Sequence, residues 1–183
     1  THDVELALGR DAGAGVLAPG AGGPPSSLTD TGTASEERAL KEGLASEDGW
    51  LFYASAPLAK DMRIAGSPVL DADIVDSTDH GQLSPTLVDV APDGTATVIS
   101  RGHMNLQYRG GLDKAVPVAA GVATRARVRL APQDQTVVAG HRIGLIFATS
   151  NTVWALPDTP GGATIAVQHG LSKLVLPVAP LDG

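Results

Sequence analysis

Five histidines are the residues of this sequence best suited to metal binding or to acid–base catalysis. No two of them have the spacing of a metal-ligand pair, and the zinc-binding pattern H-E-x-x-H is absent. His141 is followed directly by Arg142, a pair that invites a catalytic interpretation. We favour a structural one, in which His141 hydrogen-bonds to backbone where a strand begins and Arg142 pairs with a carboxylate. The five are His2, His80, His103, His141 and His169.

Serine chemistry would require a nucleophile on a sharp turn, typically written G-x-S-x-G. No serine here has glycine at both flanking positions, and Ser172 comes nearest, with Gly170 on one side only. A phosphate-binding loop is not indicated either, because the glycines of residues 20–23 are followed by two prolines instead of a helix start. We therefore assign no catalytic residue and no cofactor-binding residue to the chain.

Four aspartates close together form the best candidate for a cation site: Asp71, Asp73, Asp76 and Asp79. Asp71 and Asp73 would lie on one face of a regular strand, which suggests calcium. The spacing lacks the central glycine and the terminal glutamate of an EF-hand loop. A solvated strand end is the favoured interpretation, and no metal site is assigned.

Two further sets of side chains suggest ligand binding. Arg125, Arg127 and Arg129 alternate with apolar residues, so a strand would present three guanidinium groups on one face. They could bind an anion, but a solvated or domain-facing sheet surface is the preferred interpretation. Trp50 and Trp154 could form a platform for a sugar, although core or interface packing is preferred for them as well.

Composition excludes several classes of protein. The 183 residues carry a net charge of −7, which argues against binding nucleic acid or an anionic membrane surface. There is no cysteine, so disulfides and thiolate metal sites are excluded while the compartment stays open between secreted and cytoplasmic. No apolar run approaches the ~20 residues that a membrane-spanning helix needs.

The chain is organised around residues 139–150, an apolar run that begins at a glycine turn and is typical of a strand buried on both faces. One short helix is predicted, with a capping box that starts at Thr33 and an end near Gly43. Residues 11–27 are predicted to be a loop. Strands are predicted at residues 4–8, 50–55, 62–66, 69–75, 83–90, 95–100, 124–130, 135–138, 163–167 and 173–178, with a turn at 157–162.

These elements predict an all-β protein, a jelly-roll β-sandwich with one short helix in its N-terminal part. We divide it into residues 1–49, a lead-in segment with a loop rich in glycine and proline, and residues 50–183, the sandwich itself.

Five segments in order resemble the C-terminal β-sandwich of the Xaa-Pro dipeptidyl-peptidase and cocaine esterase group of serine hydrolases. Ile64-Ala65-Gly66-Ser67-Pro68 resembles its strand entry l-x-G-x-P, and Leu87-Val88-Asp89-Val90-Ala91-Pro92-Asp93-Gly94 resembles its hairpin L-V-D-V-x-P-D-G. Residues 101–105 lie where that group has x-G-x-l-r, residues 139–145 are similar to its A-G-H-R-l-x-l strand, and residues 174–178 to its closing L-x-L-P strand.

The resemblance implies a fold related to galactose-binding-like domains, packed against an α/β-hydrolase domain that carries the Ser, Asp and His triad. Such enzymes release N-terminal Xaa-Pro dipeptides or hydrolyse small esters. No triad residue transfers to this chain. We therefore expect an accessory domain that covers the catalytic domain, shapes access to its cleft and contributes to contacts between copies. The alternatives are a free-standing carbohydrate-binding module, a structural adhesion domain and, last, an independent hydrolase.

Overall fold

The computed structural model of the chain describes residues 1–45, 49–154 and 162–181, and consists mainly of β-strands. Within these ranges the strands are β1 (His2–Asp11), β2 (Ala14–Ala18), β3 (Ser26–Thr29), β4 (Trp50–Ala54), β5 (Met62–Gly66), β6 (Val69–Asp76), β7 (Gln82–Leu83), β8 (Thr86–Val90), β9 (Ala96–Arg101), β10 (Met104–Asn105), β11 (Ala123–Arg129), β12 (Gln133–Val137), β13 (Arg142–Ala148), β14 (Thr164–Val167) and β15 (Lys173–Ala179). The helix α1 (Glu36–Lys41) and a 3-10 turn (Leu106–Tyr108) complete the set.

The strands form an all-β sandwich, as predicted, while the relation to galactose-binding-like domains stays a prediction. Thirteen strands are hydrogen-bonded in one continuous, branched network along the path β3-β14-β6-β15-β1-β2-β4-β13-β8-β9. The branches pair β11 with β6, β12 with β5, and β5 with β15. This order is not that of a meander, since neighbouring strands are often distant in sequence. The predicted turn at 157–162 lies, apart from residue 162, outside the described residues.

The N-terminal residues contribute strands to this network. The first part of β1 pairs with β15, from His2 opposite Val178 to Ala7 opposite Lys173. The prediction of a loop over residues 11–27 was wrong at its two ends, which belong to β1 and β3, and where β2 forms. β2 is a partner both of β1 and, in parallel, of β4. Its glycine and alanine content hid a strand whose Leu17 is buried. The division of the chain at residue 49 stays a prediction.

The central strand β13 is buried on both faces, as its sequence predicted, because two different layers cover it. Ile143, Leu145 and Phe147 lie in the main core of the sandwich. Ile146 and Ala148 point to the other face, where they pack with Ala39 of α1, Trp50 and neighbouring residues in a second, smaller core. The helix therefore shields from water the outer face of the sheet that contains β4, β13 and β8.

The helix begins two residues later than its sequence predicted. Ser35, not Thr33, is the N-cap, and its hydroxyl accepts a hydrogen bond from the backbone N–H of Arg38 at 3.1 Å. Ser35 has extended backbone dihedrals, as an N-cap requires. Consequently Glu36 is the first helical residue instead of the third, and it does not close a capping box. Its carboxylate is free to turn inward.

Candidate functional site

His141 contacts a carboxylate and Arg142 contacts backbone, which is the reverse of what the sequence predicted. His141 Nδ1 lies 2.7 Å from a carboxylate oxygen of Asp89, and Arg142 Nη1 donates to the backbone carbonyl of Ser55 at 2.8 Å. The prediction that His141 bonds to backbone and Arg142 to a carboxylate was therefore wrong. The cause is the register of β13 against β8, which places Ile143 opposite Asp89 and so brings His141 diagonally across from it. Both contacts are structural.

Ser172 is fully buried and bridges β15 to β6. Its Oγ donates to the carbonyl of Asp73 at 3.1 Å and accepts from the N–H of the same residue at 3.0 Å. A hydroxyl that is committed in both directions and shielded from solvent cannot attack a substrate. His141 is hydrogen-bonded to Asp89 of β8, so the structure does not bring Ser172 and His141 into one site.

The four aspartates do not converge on one point. Asp71 receives two hydrogen bonds from Arg125, at 2.8 and 2.7 Å, which lower the pKa of this carboxyl from its ordinary value. Arg125 also lies 3.4 Å from Asp73, which confirms that Asp71 and Asp73 share one face of β6. Asp76 accepts from the N–H groups of Thr78 and Gly81, and Asp79 contacts His80. Among the described residues, no three His, Asp or Glu side chains are placed to hold a metal ion.

The arginine face of β11 is balanced by those same aspartates. As predicted, Arg125, Arg127 and Arg129 alternate with buried residues. The register sets Arg125 opposite Asp73 and Arg127 opposite Asp71 on the neighbouring strand β6. Because opposite charges face each other across the two strands, this surface offers an anion less net positive charge than the sequence alone suggested.

The two tryptophans lie in different environments and form no common platform. Trp50 is buried in the smaller core, donates its indole N–H to the carbonyl of Ala45 at 2.9 Å, and has the Arg38 guanidinium 5.1 Å from its ring centre. This confirms the packing interpretation for Trp50. Trp154 is 47% exposed and meets the ring of His103 edge-on, with 6.3 Å between the ring centres. It is an exposed aromatic side chain next to a histidine.

A buried polar cluster that the sequence did not reveal ties α1 to the end of the sheet. The Glu36 carboxylate accepts hydrogen bonds from Arg101 of β9 and from the side-chain amide of Asn151 at 2.9 Å. Thr86 lies 3.5 Å from the same carboxylate. Glu36, Thr86 and Asn151 are buried, and only the Arg101 side chain of this cluster reaches solvent. Its role is to fix the helix on the sheet.

A second buried pair joins Tyr53 of β4 to His169. The tyrosine hydroxyl and His169 Nε2 are 3.0 Å apart, and the rings meet edge-on. Burial raises the pKa of the Tyr53 hydroxyl and lowers the pKa of the His169 imidazole, while the carbonyl of Pro24 opposes the latter shift and Arg10 adds to it. Neither side chain is open to a substrate. This pair is therefore a candidate for pH-dependent stability and not for catalysis.

One exposed surface combines aromatic and aliphatic side chains. His103, Met104, Asn105, Tyr108 and Leu112 line a shallow cavity of about 270 Å³, and Trp154 adjoins it through His103. We call this set, with Trp154, the Tyr108–Trp154 surface. His103 is held by a 2.7 Å hydrogen bond between its Nδ1 and Oγ of the buried Ser84. The sequence analysis named His103 and Trp154 but had no means of bringing them together with Tyr108 and Leu112.

Among the residues that the structure describes, the serine, histidine and aspartate considered most closely, Ser172, His141 and Asp71, are each engaged in hydrogen bonds within the sandwich. None of the described helices is long and apolar enough to cross a membrane. Comparison with known proteins shows the family of the chain. The chain belongs to the X-Pro dipeptidyl-peptidase C-terminal non-catalytic domain family, whose family model matches residues 1–171. The resemblance inferred from five sequence segments is thereby confirmed.

Two bacterial relatives share this region. A protein of Streptomyces avermitilis, provisionally named an Xaa-Pro dipeptidyl-peptidase, is 29% identical over a match that covers 76% of this chain and 27% of that protein. A protein of Rhodopirellula baltica with the same provisional name is 27% identical, over 70% of this chain and 21% of that protein. The match thus spans about a quarter of the length of these relatives.

Solved structures share the fold at lower identity. An aminopeptidase from a marine sediment archaeon of the Thaumarchaeota superposes with a TM-score of 0.78 at 20% identity, over 98% of this chain and 37% of that one. An α-amino acid ester hydrolase also gives 0.78, at 17% identity, over 96% and 36% of the two chains. A hydrolase of the CocE/NonD family from Staphylococcus aureus gives 0.71 at 13% identity, over 97% and 37%. These likenesses establish the fold.

Proposed function

We propose that this chain serves as the non-catalytic partner of an α/β-hydrolase domain in the same polypeptide, packs against it and shapes the access of substrate to its cleft. The observation that carries the proposal is the family match over residues 1–171, to a domain defined as C-terminal and non-catalytic. The commitment of Ser172 and His141 to structural hydrogen bonds supports it from the chain's own side.

We propose that the parent is a serine hydrolase, which either releases Xaa-Pro dipeptides from the N-termini of peptides or hydrolyses small acyl esters. The names of the relatives support peptidase activity, and the structural likeness to an ester hydrolase is the reason to propose esters as the alternative substrates. Within the domain we propose residues 1–49 as the lead-in from the catalytic part and residues 50–183 as the sandwich. Contacts between copies of the parent stay a prediction.

The test compares the isolated chain with the full-length parent in one hydrolysis assay. The substrates are an Ala-Pro chromogenic amide and a short-chain nitrophenyl ester. We expect turnover by the parent only, and its preference for amide or ester then assigns the substrate class. Turnover by the isolated chain that a serine-directed inhibitor abolishes would contradict the proposal.

A further inference from the structure

We propose that the Tyr108–Trp154 surface is the face with which this chain docks on the catalytic domain of its parent. The inference rests on the proposed function and adds to it the location of the interface. The side chains of this surface lie in β10 and the residue before it, in the 3-10 turn and the loop after it, and in the segment that follows β13. None of them belongs to the buried polar cluster of Glu36, Arg101, Thr86 and Asn151.

The distribution of aromatic side chains supports this choice of surface. The chain has only six Phe, Tyr and Trp residues, and Trp50, Tyr53 and Phe147 are buried while Phe52 is partly buried. The two that are exposed are Tyr108 at 37%, which lines the same cavity as His103, and Trp154 at 47%, which meets the His103 ring. Tryptophan and tyrosine are the residue types that most often dominate the binding energy of an interface. Here they occur together.

Aliphatic side chains extend the same surface. Leu112 is 89% exposed, the highest value among the large apolar residues that the structure describes, and Met104 lies beside it in the shallow cavity. Each Å² of apolar leucine surface that a partner removes from water contributes about 25 cal/mol to the free energy of binding. Exposed apolar side chains that lie together indicate a protein-binding site more strongly than singly scattered ones do.

The surface is rigid enough to act as a docking face. The Ser84 hydroxyl fixes the ring of His103, and the loop that carries Leu112 is closed on itself by the hydrogen bond from Val116 N to the carbonyl of Gln107 at 2.7 Å. Arg109 Nη1 donates to the carbonyls of both Leu106 and Val116, at 2.9 and 2.8 Å. Binding therefore orders little additional chain, and less affinity is lost to conformational entropy.

The occupant that fits is a protein surface of the same polypeptide, because the relatives continue for three to four times the length that this chain matches. The alternative ligand is a sugar, which stacks on exposed aromatic rings. A sugar site needs polar side chains beside its rings to bond the hydroxyls. The two polar side chains of this cavity already have partners in the fold, His103 in Ser84 and Asn105 in the N–H of Gln107, and the other neighbours are aliphatic, which favours a protein.

Hydroxyl-radical footprinting of the isolated chain and of the full-length parent tests the proposal, because it reports the exposure of individual side chains. We expect oxidation of Tyr108, Leu112 and Trp154 to fall, in the parent, toward the low rate of the buried Trp50. Leu171, 63% exposed and in another part of the fold, is the matched control for Leu112 and should react equally in both proteins.

Variants of the full-length parent give a second, independent readout. Leu112→Asp should lower kcat/KM by about fivefold or more, the scale at which an interface residue is felt, whereas Leu171→Asp should leave it unchanged. Both side chains are exposed, so neither variant should alter the melting temperature of the isolated chain.

Three results would overturn the proposal. The first is equal oxidation of the Tyr108–Trp154 surface in the isolated chain and in the parent, while only the parent is active. This result would leave the proposed function standing. The second is protection that disappears on dilution of the parent, which would assign the surface to contacts between copies. The third is a change of Trp154 fluorescence in the isolated chain on titration with cellohexaose, which would assign it to carbohydrate. Activity of the isolated chain, by contrast, would overturn the proposed function itself.

Discussion

Arg101 of β9 holds the buried carboxylate of Glu36, the first residue of α1, through hydrogen bonds from Nε of 2.9 and 2.8 Å and a third from Nη2. The hydrogen bond to Glu36 raises the pKa of the guanidinium, although partial burial acts in the opposite direction. This ion pair, 65 residues apart in sequence, connects the helix to the strand at the far end of the sheet path. The smaller core around Trp50 lies between α1 and the same sheet.

Removal of the arginine should destabilise the domain. Arg101→Ala leaves the Glu36 carboxylate buried without its cationic partner, which costs ~3–5 kcal/mol for a fully buried pair. Because 40% of the Arg101 side chain is exposed, we expect a loss of about 2–3 kcal/mol in the free energy of unfolding, measured by urea denaturation. Glu5→Gln, which weakens an exposed pair with Lys173, should cost less than about 1 kcal/mol.

A double variant separates the charge effect from lost packing. Glu36→Gln combined with Arg101→Ala should be more stable than Arg101→Ala alone, because the uncompensated buried charge is gone. Equal stability of the double and the single variant would show that the guanidinium acts through its packing and not through its charge.

Gly144 in the middle of β13 has no room for a side chain. A Cβ built there would lie 2.7 Å from Cγ2 of Val88 and 3.0 Å from Cε2 of Phe52. We expect Gly144→Ala to lower the free energy of unfolding by about 1–3 kcal/mol through overpacking. Gly22→Ala is the control, since a Cβ there would have no neighbour within 4 Å. Equal melting temperatures for Gly144→Ala and wild type would contradict the tight fit of β13 against β4 and β8.

The stability of the domain should fall on mild acidification because of His169. Burial lowers the pKa of this imidazole in the folded state below the value of about 6.5 that it has when unfolded. The unfolded chain therefore binds the proton first, and the free energy of unfolding falls as the pH drops below about 6.5, by at most about 1.4 kcal/mol per pH unit.

His169→Gln is the variant that isolates this contribution, since the amide still offers a partner to the Tyr53 hydroxyl but does not titrate. We expect the difference in unfolding free energy between wild type and His169→Gln to change between pH 7 and pH 5, in favour of the variant at low pH. Parallel stability curves for the two proteins across this range would rule out His169 as the titrating group.

Ser172 should matter for stability and not for turnover. Its hydroxyl exchanges two hydrogen bonds with the backbone of Asp73, so Ser172→Ala in the full-length parent should cost about 1 kcal/mol of stability. The kcat/KM of the parent should be unchanged under conditions where the variant is folded. A loss of several orders of magnitude in kcat, with the fold intact, would instead make Ser172 a nucleophile.

Much of the fold could be predicted because it follows local periodicity. The alternation at β11 and the unbroken apolar run at β13 correctly indicated one covered face and two covered faces, respectively. β2 was missed because alanine and glycine carry little strand preference, and its formation depends on β1 and β4 on either side. The helix start was misplaced by two residues because Thr33 and Ser35 are both acceptable N-caps in sequence.

The contacts at the candidate site could not be predicted, since they depend on register and long-range pairing. The sequence analysis predicted structural contacts for His141 and Arg142 but exchanged the types of their partners, because one residue of register decides which side chain faces Asp89. Nothing in the sequence connects Glu36 with Arg101, or Trp154 with His103. The absence of a nucleophile elbow, by contrast, is a local pattern, and it directed the sequence analysis toward an accessory domain.

The most direct test of the account is to locate the serine that reacts in the full-length parent. The parent is labelled with a fluorophosphonate probe, digested, and the modified peptide is identified by mass spectrometry. The account predicts a single modified serine outside the 183 residues of this chain, and no labelling of the isolated chain. A modified serine within these residues, Ser172 above all, would contradict the conclusion that the chain is non-catalytic.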